Sequence, residues 1–126
     1  MKRIIIGITG ASGSIYGAGL IKELSERGAE THVICTERGA EVFEYEIGRS
    51  LEAFTGPLKN KPVIHSNTDL FAGPASGSFR AGAMVIVPCS MASLGGIASG
   101  SLQSLLGRAA DVCLKEKRKL IAVPRE

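Results

Sequence analysis

Residues Val87–Gly100, VPCSMASLGGIASG, decide the fold, because an apolar strand ends there in a small, hydroxyl-rich turn that opens a helix. The apolar residues Met84–Val87 suit a strand that is buried on both faces of a parallel sheet. The turn of serine and glycine then presents hydroxyls and backbone N–H groups at a helix N-terminus, where phosphates bind readily. This stretch therefore predicts an anion-binding loop at the carboxyl end of a strand.

A second turn of the same kind, Thr9–Ser14 (TGASGS), follows an apolar strand at residues 3–8. In a parallel sheet the carboxyl ends of neighbouring strands share one edge, and open α/β folds bind their ligands there. The two loops are therefore expected to meet and to hold one nucleotide-sized ligand. The alternative is that these small residues only permit tight turns and close packing of helices on the sheet.

The spacing of apolar residues predicts the other elements of an α/β fold. Strands are predicted at 3–8, 31–35, 62–65, 83–87 and 120–123, and helices at 14–27, 37–47, 91–99 and 103–116. Because strands alternate with helices, the sheet is expected to be parallel with right-handed crossovers. Between Gly48 and Gly82 the pattern weakens around prolines and glycines, which predicts a long functional loop or an ordered excursion, weighted toward ligand contact.

Length and composition restrict the class of protein. The 126 residues suit one domain, so a second wall of an active site has to come from another subunit. A net charge of +3 from 15 basic and 12 acidic residues argues against a nucleic-acid face, and the basic cluster Lys115–Lys119 is interpreted as a solvated helix end. The three separated cysteines indicate neither a disulfide framework nor a zinc site. No apolar run approaches the roughly 20 residues of a membrane span, so a cytoplasmic protein is expected.

The loops also indicate which kind of nucleotide fits. Gly10–Gly17 has its glycines at the wrong offsets for a dinucleotide fingerprint, and it lacks the lysine of a P-loop. The second strand ends at Cys35, without the acidic residue that holds a ribose diol, which disfavours an NAD(P) dehydrogenase. A mononucleotide phosphate on Ser12, Thr36 and Ser90, as in an FMN protein, fits better.

Charged residues near the expected edge are candidates for chemistry. Arg125 and Glu126 directly follow the last strand, where side chains reach the site. Arg125 can bind a phosphate through two hydrogen bonds, and Glu126 can transfer protons if it is buried. Glu46 lies late in a helix, where a glutamate is more often solvated. His32 and His65 have no partner at triad or metal spacing, and neither is assigned any chemistry.

Five motifs together resemble the UbiX/Pad1 flavin prenyltransferase family over essentially the whole chain, in the family's order and spacing. They are GITGASG at 7–13, PASGS at 74–78, PCSMASL at 88–94, RAADVCLKE at 108–116 and VPRE at 123–126. The resemblance implies a flavodoxin-like, three-layer α/β fold with a parallel sheet. It also implies binding of FMN without a metal.

The same resemblance implies an activity. Members of the family join a dimethylallyl group from dimethylallyl phosphate to N5 and C6 of FMN, and the prenylated FMN serves UbiD-type decarboxylases in ubiquinone synthesis or on aromatic acids. They form homo-oligomers, trimer-based dodecamers, with the flavin at a subunit interface. The implied FMN contacts are Gly10, Ala11, Ser12, Thr36, Ser90, Met91, Ala92, Ser93 and Arg125. Catalytic or substrate-phosphate roles are implied for Ser12, Glu46, Lys115, Arg125 and Glu126.

The family pattern continues past the Pro-Arg-Glu motif with a helix, a further strand, and a tyrosine and an arginine that hold the substrate phosphate. The expectation is therefore a single flavoprotein domain, 1–126, that is C-terminally truncated. Two alternatives stay open. One is an FMN-dependent cysteine decarboxylase, which is disfavoured because no catalytic histidine stands near Ser76–Ser78. The other is a non-catalytic FMN-binding subunit.

Overall fold

A computed structural model describes residues 2–126 as a five-stranded parallel sheet with helices on both faces. The strands are β1 (Arg3–Ile8), β2 (Glu30–Cys35), β3 (Val63–Ser66), β4 (Ala83–Ser90) and β5 (Lys119–Arg125), in the spatial order β3-β2-β1-β4-β5. The helices are α1 (Ser14–Glu26), α2 (Glu37–Ile47), α3 (Leu51–Thr55), α4 (Met91–Ser99) and α5 (Leu105–Lys115), with a 3-10 turn at Gly73–Ala75. The predicted parallel α/β fold is confirmed.

The continuous apolar run of β1 is explained by burial on both faces of the sheet. Ile4, Ile6 and Ile8 belong to a core that includes residues of α1 and α2. Ile5, between them in sequence, points to the opposite face, where the core includes residues of α5. Because successive residues of a strand alternate between faces, both layers of helices draw on the same short strand.

The region between Gly48 and Gly82 is more regular than its sequence predicts. Besides β3 it contains the five-residue helix α3, which Ser50 caps by accepting a hydrogen bond from Ala53 N at 3.1 Å. A helix of barely more than one turn is too short to leave a recognisable apolar period. With the 3-10 turn at Gly73–Ala75 the region contains three short elements, of which only β3 was predicted.

Strands β4 and β5 reach further than their sequences predict. The register between them shifts between Ile86 and Cys89, a segment that contains Pro88, which has no N–H to donate to the ladder. Pairing then resumes, and Ser90 lies opposite Arg125 at the end of both strands. The extension places a hydroxyl and a guanidinium on neighbouring strand ends. In the part of the chain that the structure describes, no helix combines the length and the hydropathy needed to cross a membrane.

Candidate active site at the carboxyl edge of the sheet

The entrance of α1 is closed by a carboxylate from α2. Gly13, the N-cap residue, has a φ of 113° and offers no side chain for capping. Glu46 takes that role: its Oε1 accepts from the backbone N of Gly13 at 3.1 Å and of Ser14 at 2.9 Å, and its Oε2 accepts from Ser12 Oγ at 2.8 Å. These donors hold the pKa of Glu46 below its usual range, and Ser14 N has the largest effect. The carboxylate is therefore ionised near neutral pH, and it orients the Ser12 hydroxyl.

This arrangement changes the expected place of a phosphate. The sequence predicts anion binding at the entrances of both α1 and α4, but the Glu46 carboxylate already occupies N–H groups of the α1 entrance. A second anion there meets like charge. The entrance of α4 carries no such carboxylate. Ser90 Oγ caps it by accepting from Ser93 N at 3.1 Å, and the exposed Met91 and Ala92 begin the first turn, whose N–H groups have no partner within the helix.

Thr9 joins the two loops. Its Oγ1 donates to Pro88 O at 2.8 Å and accepts from Ser90 N at 2.9 Å, and its own N also donates to Pro88 O. The side chain is 1% exposed. Sequence reasoning did not identify this residue, although a threonine directly after a buried strand is a usable signal. The contact fixes the Ser90 turn relative to the loop that contains Ser12.

Thr36 lies at the end of β2 on the same edge. Its Oγ1 accepts from Gly39 N at 2.9 Å and caps α2, and its N donates to Ile8 O at 3.0 Å. A side chain at Gly39 would place its Cβ 2.7 Å from Ile8 O, so only glycine lets α2 approach β1 this closely. Arg38 lies over Gly10 in the first loop. The ends of β1, β2 and β4 thus meet as the sequence predicts.

The end of β5 completes this edge. Ser12 N donates to Glu126 O at 3.2 Å, which joins the last described residue to the first loop. The guanidinium carbon of Arg125 lies 5.5 Å from the centroid of the Tyr16 ring, and an added Cβ at Gly13 would lie 3.4 Å from Arg125 Nη1. Arg125 is therefore next to the entrance of α1. Glu126 is exposed, so the burial that its expected proton transfer requires is not supplied within the described residues.

Lys115 lies at the opposite edge of the sheet. Helix α5 runs back from the carboxyl edge, so its last turn lies beside the start of β5. Arg118, just after the helix, donates to Gly77 O at 2.6 Å and to Phe79 O at 3.0 Å, and both carbonyls precede β4. The structure therefore brings together Ser12, Glu46 and Arg125. It does not bring Lys115 to them within one chain.

A cavity of about 640 Å³ runs along α5 and has Lys115 in its lining. Arg108 and Asp111 lie on the same face of α5 as Lys115, seven and four residues before it, and they line the cavity with it. The other lining residues are Leu70, Phe71, Ala72, Ala75, Ser76, Gly77 and Val112. Sequence reasoning left Arg108 without a role, although its spacing from Lys115 was visible. The Pro74–Ser78 motif is thus a wall of this cavity.

The two histidines belong to a chain of hydrogen bonds across three strands. His32 Nδ1 lies 2.9 Å from His65 Nε2, His32 Nε2 lies 2.7 Å from Glu30 Oε2, and Arg3 Nε donates to Glu30 Oε2 at 2.6 Å. A neutral His32 that donates to Glu30 accepts from His65. The acidic partner of His32 is Glu30, two positions earlier on the same face of β2, a spacing that belongs to neither a catalytic triad nor a metal site. Among residues 2–126, no group of three or more His, Cys, Asp and Glu side chains is arranged to hold a metal ion.

Cys35 directly precedes Thr36 at the carboxyl edge. Burial, together with the charge of Glu52, raises its pKa to about 12. The protonated thiol is a poor nucleophile. Burial also raises the pKa of the Cys89 thiol, which directly precedes Ser90.

Comparison with known proteins shows the family of the chain. The profile of the Flavoprotein family matches residues 1–126. A flavin prenyltransferase UbiX of Alkalihalophilus pseudofirmus is 43% identical over 132 residues, covering 99% of this chain and 66% of the relative. The chain spans 61–67% of the lengths of the curated relatives it matches.

Two solved structures are similar in both fold and sequence. A dodecameric FMN-dependent UbiX-like decarboxylase from Escherichia coli O157:H7 has a TM-score of 0.91 and 40% identity, covering 98% of this chain and 67% of its own. AnUbiX (PadA1), in complex with FMN and dimethylallyl pyrophosphate, has a TM-score of 0.92 and 36% identity, covering 99% of this chain and 65% of its own. With the family profile matched along its whole length, this chain belongs to the Flavoprotein family, and it resembles the UbiX flavin prenyltransferases within it.

Proposed function

We propose that the protein is a flavin prenyltransferase that joins a dimethylallyl group from dimethylallyl phosphate to FMN. The observation that carries the proposal is the Ser12–Glu46 pair, with its 2.8 Å hydrogen bond, beside Arg125 at the edge where three strand ends meet. Flavin prenyltransferases of several bacteria are 41–44% identical to this chain, and this similarity supports the proposal.

The donor set at the carboxyl edge fits a mononucleotide such as FMN. Its phosphate and ribityl chain require hydroxyls, backbone N–H groups and a cation, and the edge offers these without a competing carboxylate at α4. The residues that would hold FMN are Gly10, Ala11, Ser12, Thr36, Ser90, Met91, Ala92, Ser93 and Arg125. When bound, the flavin ring supplies the atoms to which the prenyl group is joined.

Ser12 and Glu46 are suited to move a proton. The ionised Glu46 accepts the Ser12 Oγ–H hydrogen bond, which makes the lone pairs of Ser12 Oγ better proton acceptors. Breaking an allylic C–O bond also requires cations beside the leaving phosphate, where negative charge develops. Arg125 provides a permanent positive charge at this edge. Glu126 can take part in this proton transfer once another part of the assembly buries it.

Lys115 requires a second copy of the chain. It lies at the amino edge, so it reaches a phosphate at the carboxyl edge only from a neighbouring subunit. The fully exposed Phe71 and the exposed Leu70 beside its cavity are suited to a subunit contact. We therefore include in the proposal a homo-oligomer, trimer-based and dodecameric, with the flavin at a subunit interface. The similar E. coli protein is dodecameric.

Turnover tests the proposed activity. The protein is incubated with reduced FMN and dimethylallyl phosphate, and the flavin is analysed by mass spectrometry. We expect a mass gain of one prenyl unit, which Ser12→Ala and Glu46→Gln reduce by about 10²-fold, a typical loss for proton-transfer groups. Bound FMN without a mass gain indicates a non-catalytic subunit, and loss of carbon dioxide from a C-terminal cysteine substrate indicates a cysteine decarboxylase. Either result contradicts the proposal.

Mixing two inactive variants tests the shared site. Ser12→Ala and Lys115→Ala are unfolded together and refolded as mixed oligomers. Because a site would take Ser12 from one copy and Lys115 from another, some sites contain both native residues, and activity returns in part. The same variants refolded separately are the control. Mixed oligomers as inactive as the separate variants would place both residues in one subunit's site.

The product requires a recipient. We propose that prenylated FMN passes to a UbiD-type decarboxylase in the cytoplasm. Supplying the reaction product to such a decarboxylase without cofactor is expected to restore decarboxylation of an aromatic acid, and unmodified FMN is the control.

A further inference from the structure

Two sequence motifs contact each other at the amino edge, and the proposed function uses only Lys115 of them. They are the basic cluster Lys115–Lys119 and the turn Ser76–Phe79. Within the cluster, Arg118 is half-buried while Lys117 is exposed. Arg118 Nη2 donates to Gly77 O at 2.6 Å, and Arg118 Nη1 donates to Phe79 O at 3.0 Å. The guanidinium thus joins the turn to the end of α5.

The other end of the turn is fixed to the sheet by Phe79. The Arg3 guanidinium lies 4.0 Å from the centroid of the Phe79 ring, and the His32 ring meets it edge-on at 4.8 Å and 89°. Arg3 is itself held by Glu30. With Phe79 anchored, the turn is held to the end of α5 by the two hydrogen bonds from Arg118, while Arg108 Nε donates to Ala75 O at 3.4 Å about two helical turns earlier.

Those hydrogen bonds set the distance between the turn and Lys115. An added Cβ at Gly77 would lie 3.6 Å from Lys115 Nζ and 3.3 Å from Glu116 Oε2, so the turn and the amine are nearly in contact. Lys115 Nζ lies 3.7 Å from Glu116 Oε2, a loose pairing that leaves the amine able to bind another anion. Ser76, Gly77 and Lys115 all line the 640 Å³ cavity.

We infer that Arg118 is a positioning residue: it holds the Ser76–Ser78 turn beside Lys115 so that the turn and the amine form one wall for the phosphate of the prenyl donor. This inference rests on the proposed function. Arg118 acts through Gly77 and Phe79, since its guanidinium donates to their carbonyls. A planar fork suits this task, because two carbonyls are held at once.

The test compares Arg118→Gln and Arg118→Lys with Lys117→Gln, which removes the same charge one position away. For Arg118→Gln we expect the KM for dimethylallyl phosphate to rise about tenfold, as for the loss of hydrogen bonds from a charged donor, with a smaller change in kcat. The dissociation constant for FMN stays unchanged, because FMN would bind at the opposite edge. Arg118→Lys keeps the charge without the fork, so its KM falls between those of Arg118→Gln and wild type. Lys117→Gln matches wild type.

Amide hydrogen exchange provides a readout that does not depend on turnover. Exchange at Gly77–Phe79 is expected to be about tenfold faster in Arg118→Gln, while exchange in β1 and β4 stays unchanged. Unchanged exchange in the turn overturns the inference. So does faster exchange with an unchanged donor KM, or a parallel loss of donor and FMN affinity, which a general loss of stability produces.

Failure of the proposed function is distinguishable from failure of this inference. If wild type forms no prenylated flavin, the dissociation constant for inorganic phosphate is measured for the same variants. Weaker phosphate binding by Arg118→Gln than by Lys117→Gln then supports the positioning role, and equal binding overturns it.

Discussion

At the scale of single residues, the carboxyl edge depends on a few side chains that connect separate loops. Thr9 connects the loop after β1 with the turn after β4, and Glu46 connects α2 with the entrance of α1. Neither connection lies within one motif of the sequence. Both can be removed without altering the hydrophobic core.

Replacing Thr9 by valine removes the hydroxyl that bridges Pro88 O and Ser90 N while keeping the volume. We expect the free energy of unfolding to fall by about 1–3 kcal/mol, the usual cost of leaving buried groups without partners. Urea denaturation measures it. Thr31→Val is the matched control, because Thr31 Oγ1 is buried but has no hydrogen-bond partner among the described residues. Equal losses in the two variants would mean that the bridge contributes nothing.

Replacing Glu46 by glutamine removes the negative charge at the entrance of α1. At pH 7 we expect a loss of about 0.5–1 kcal/mol in the free energy of unfolding, as for a helix N-terminal carboxylate. Because hydrogen bonds lower the folded-state pKa of Glu46 from 4.5, its contribution is complete above that pH and is lost as the pH falls below it. Urea denaturation at pH 7 and pH 4 should therefore show a smaller difference at pH 4. A difference that does not change with pH would exclude the carboxylate as the cause.

At the scale of elements, close approach between helices and strands determines the geometry of the site. Helix α1 lies against the end of β4 at Gly17. A Cβ there would lie 2.7 Å from Val87 O, a backbone atom that cannot move alone. The loop containing Ser12 therefore owes its position partly to the absence of a side chain in the helix that follows.

Gly17→Ala is expected to lower the free energy of unfolding by about 1–3 kcal/mol, since α1 has to shift away from β4. Gly19→Ala in the same helix meets nothing within 4 Å, and alanine favours a helix over glycine. That variant is expected to gain about 0.5–1 kcal/mol. Urea denaturation compares the two. A loss in both variants would mean that a substitution anywhere in α1 is destabilising, and that the contact with Val87 is not the cause.

Elements with clear capping residues could be predicted from the sequence. The bounds predicted for α2 and α4 are confirmed, because Thr36 and Ser90 cap their starts and Gly48 and Gly100 end them at φ values of 86° and 73°. Helix α3 and the extension of β4 could not be predicted. The first is too short for a period, and the second depends on pairing with β5 across a register shift.

The candidate site could be predicted in part. Turns after strands identify Ser12, Thr36 and Ser90, since parallel strands end at one edge. That Glu46 closes α1 depends on how α2 packs. Lys115 lies at the opposite edge because α5 runs back from the carboxyl edge to the start of β5, and the motif alone gives no position in space.

At the scale of the whole molecule, the described residues leave a large aromatic side chain exposed beside the Lys115 cavity. Phe71 is 100% exposed, and half-exposed Leu70 precedes it. An exposed pair of this kind next to a cavity lined by charged residues is typical of a contact surface.

Phe71→Asp is expected to shift the protein to smaller species in sedimentation velocity, because a carboxylate is poorly tolerated in an apolar contact. Phe71→Leu keeps an apolar side chain and is expected to sediment like wild type. The affinity for FMN is measured on both variants to confirm that the fold is intact. Unchanged sedimentation of Phe71→Asp would place the subunit contact elsewhere.

The separation of Lys115 from Ser12 has an arithmetic consequence. In the proposed shared site, a chain that offers Lys115 at one edge and takes a neighbour's Lys115 at the other would associate head to tail. A closed ring then holds as many complete catalytic centres as it has members, an open row holds one fewer, and a lone chain holds none. Specific activity should therefore rise with protein concentration and level off once rings have closed.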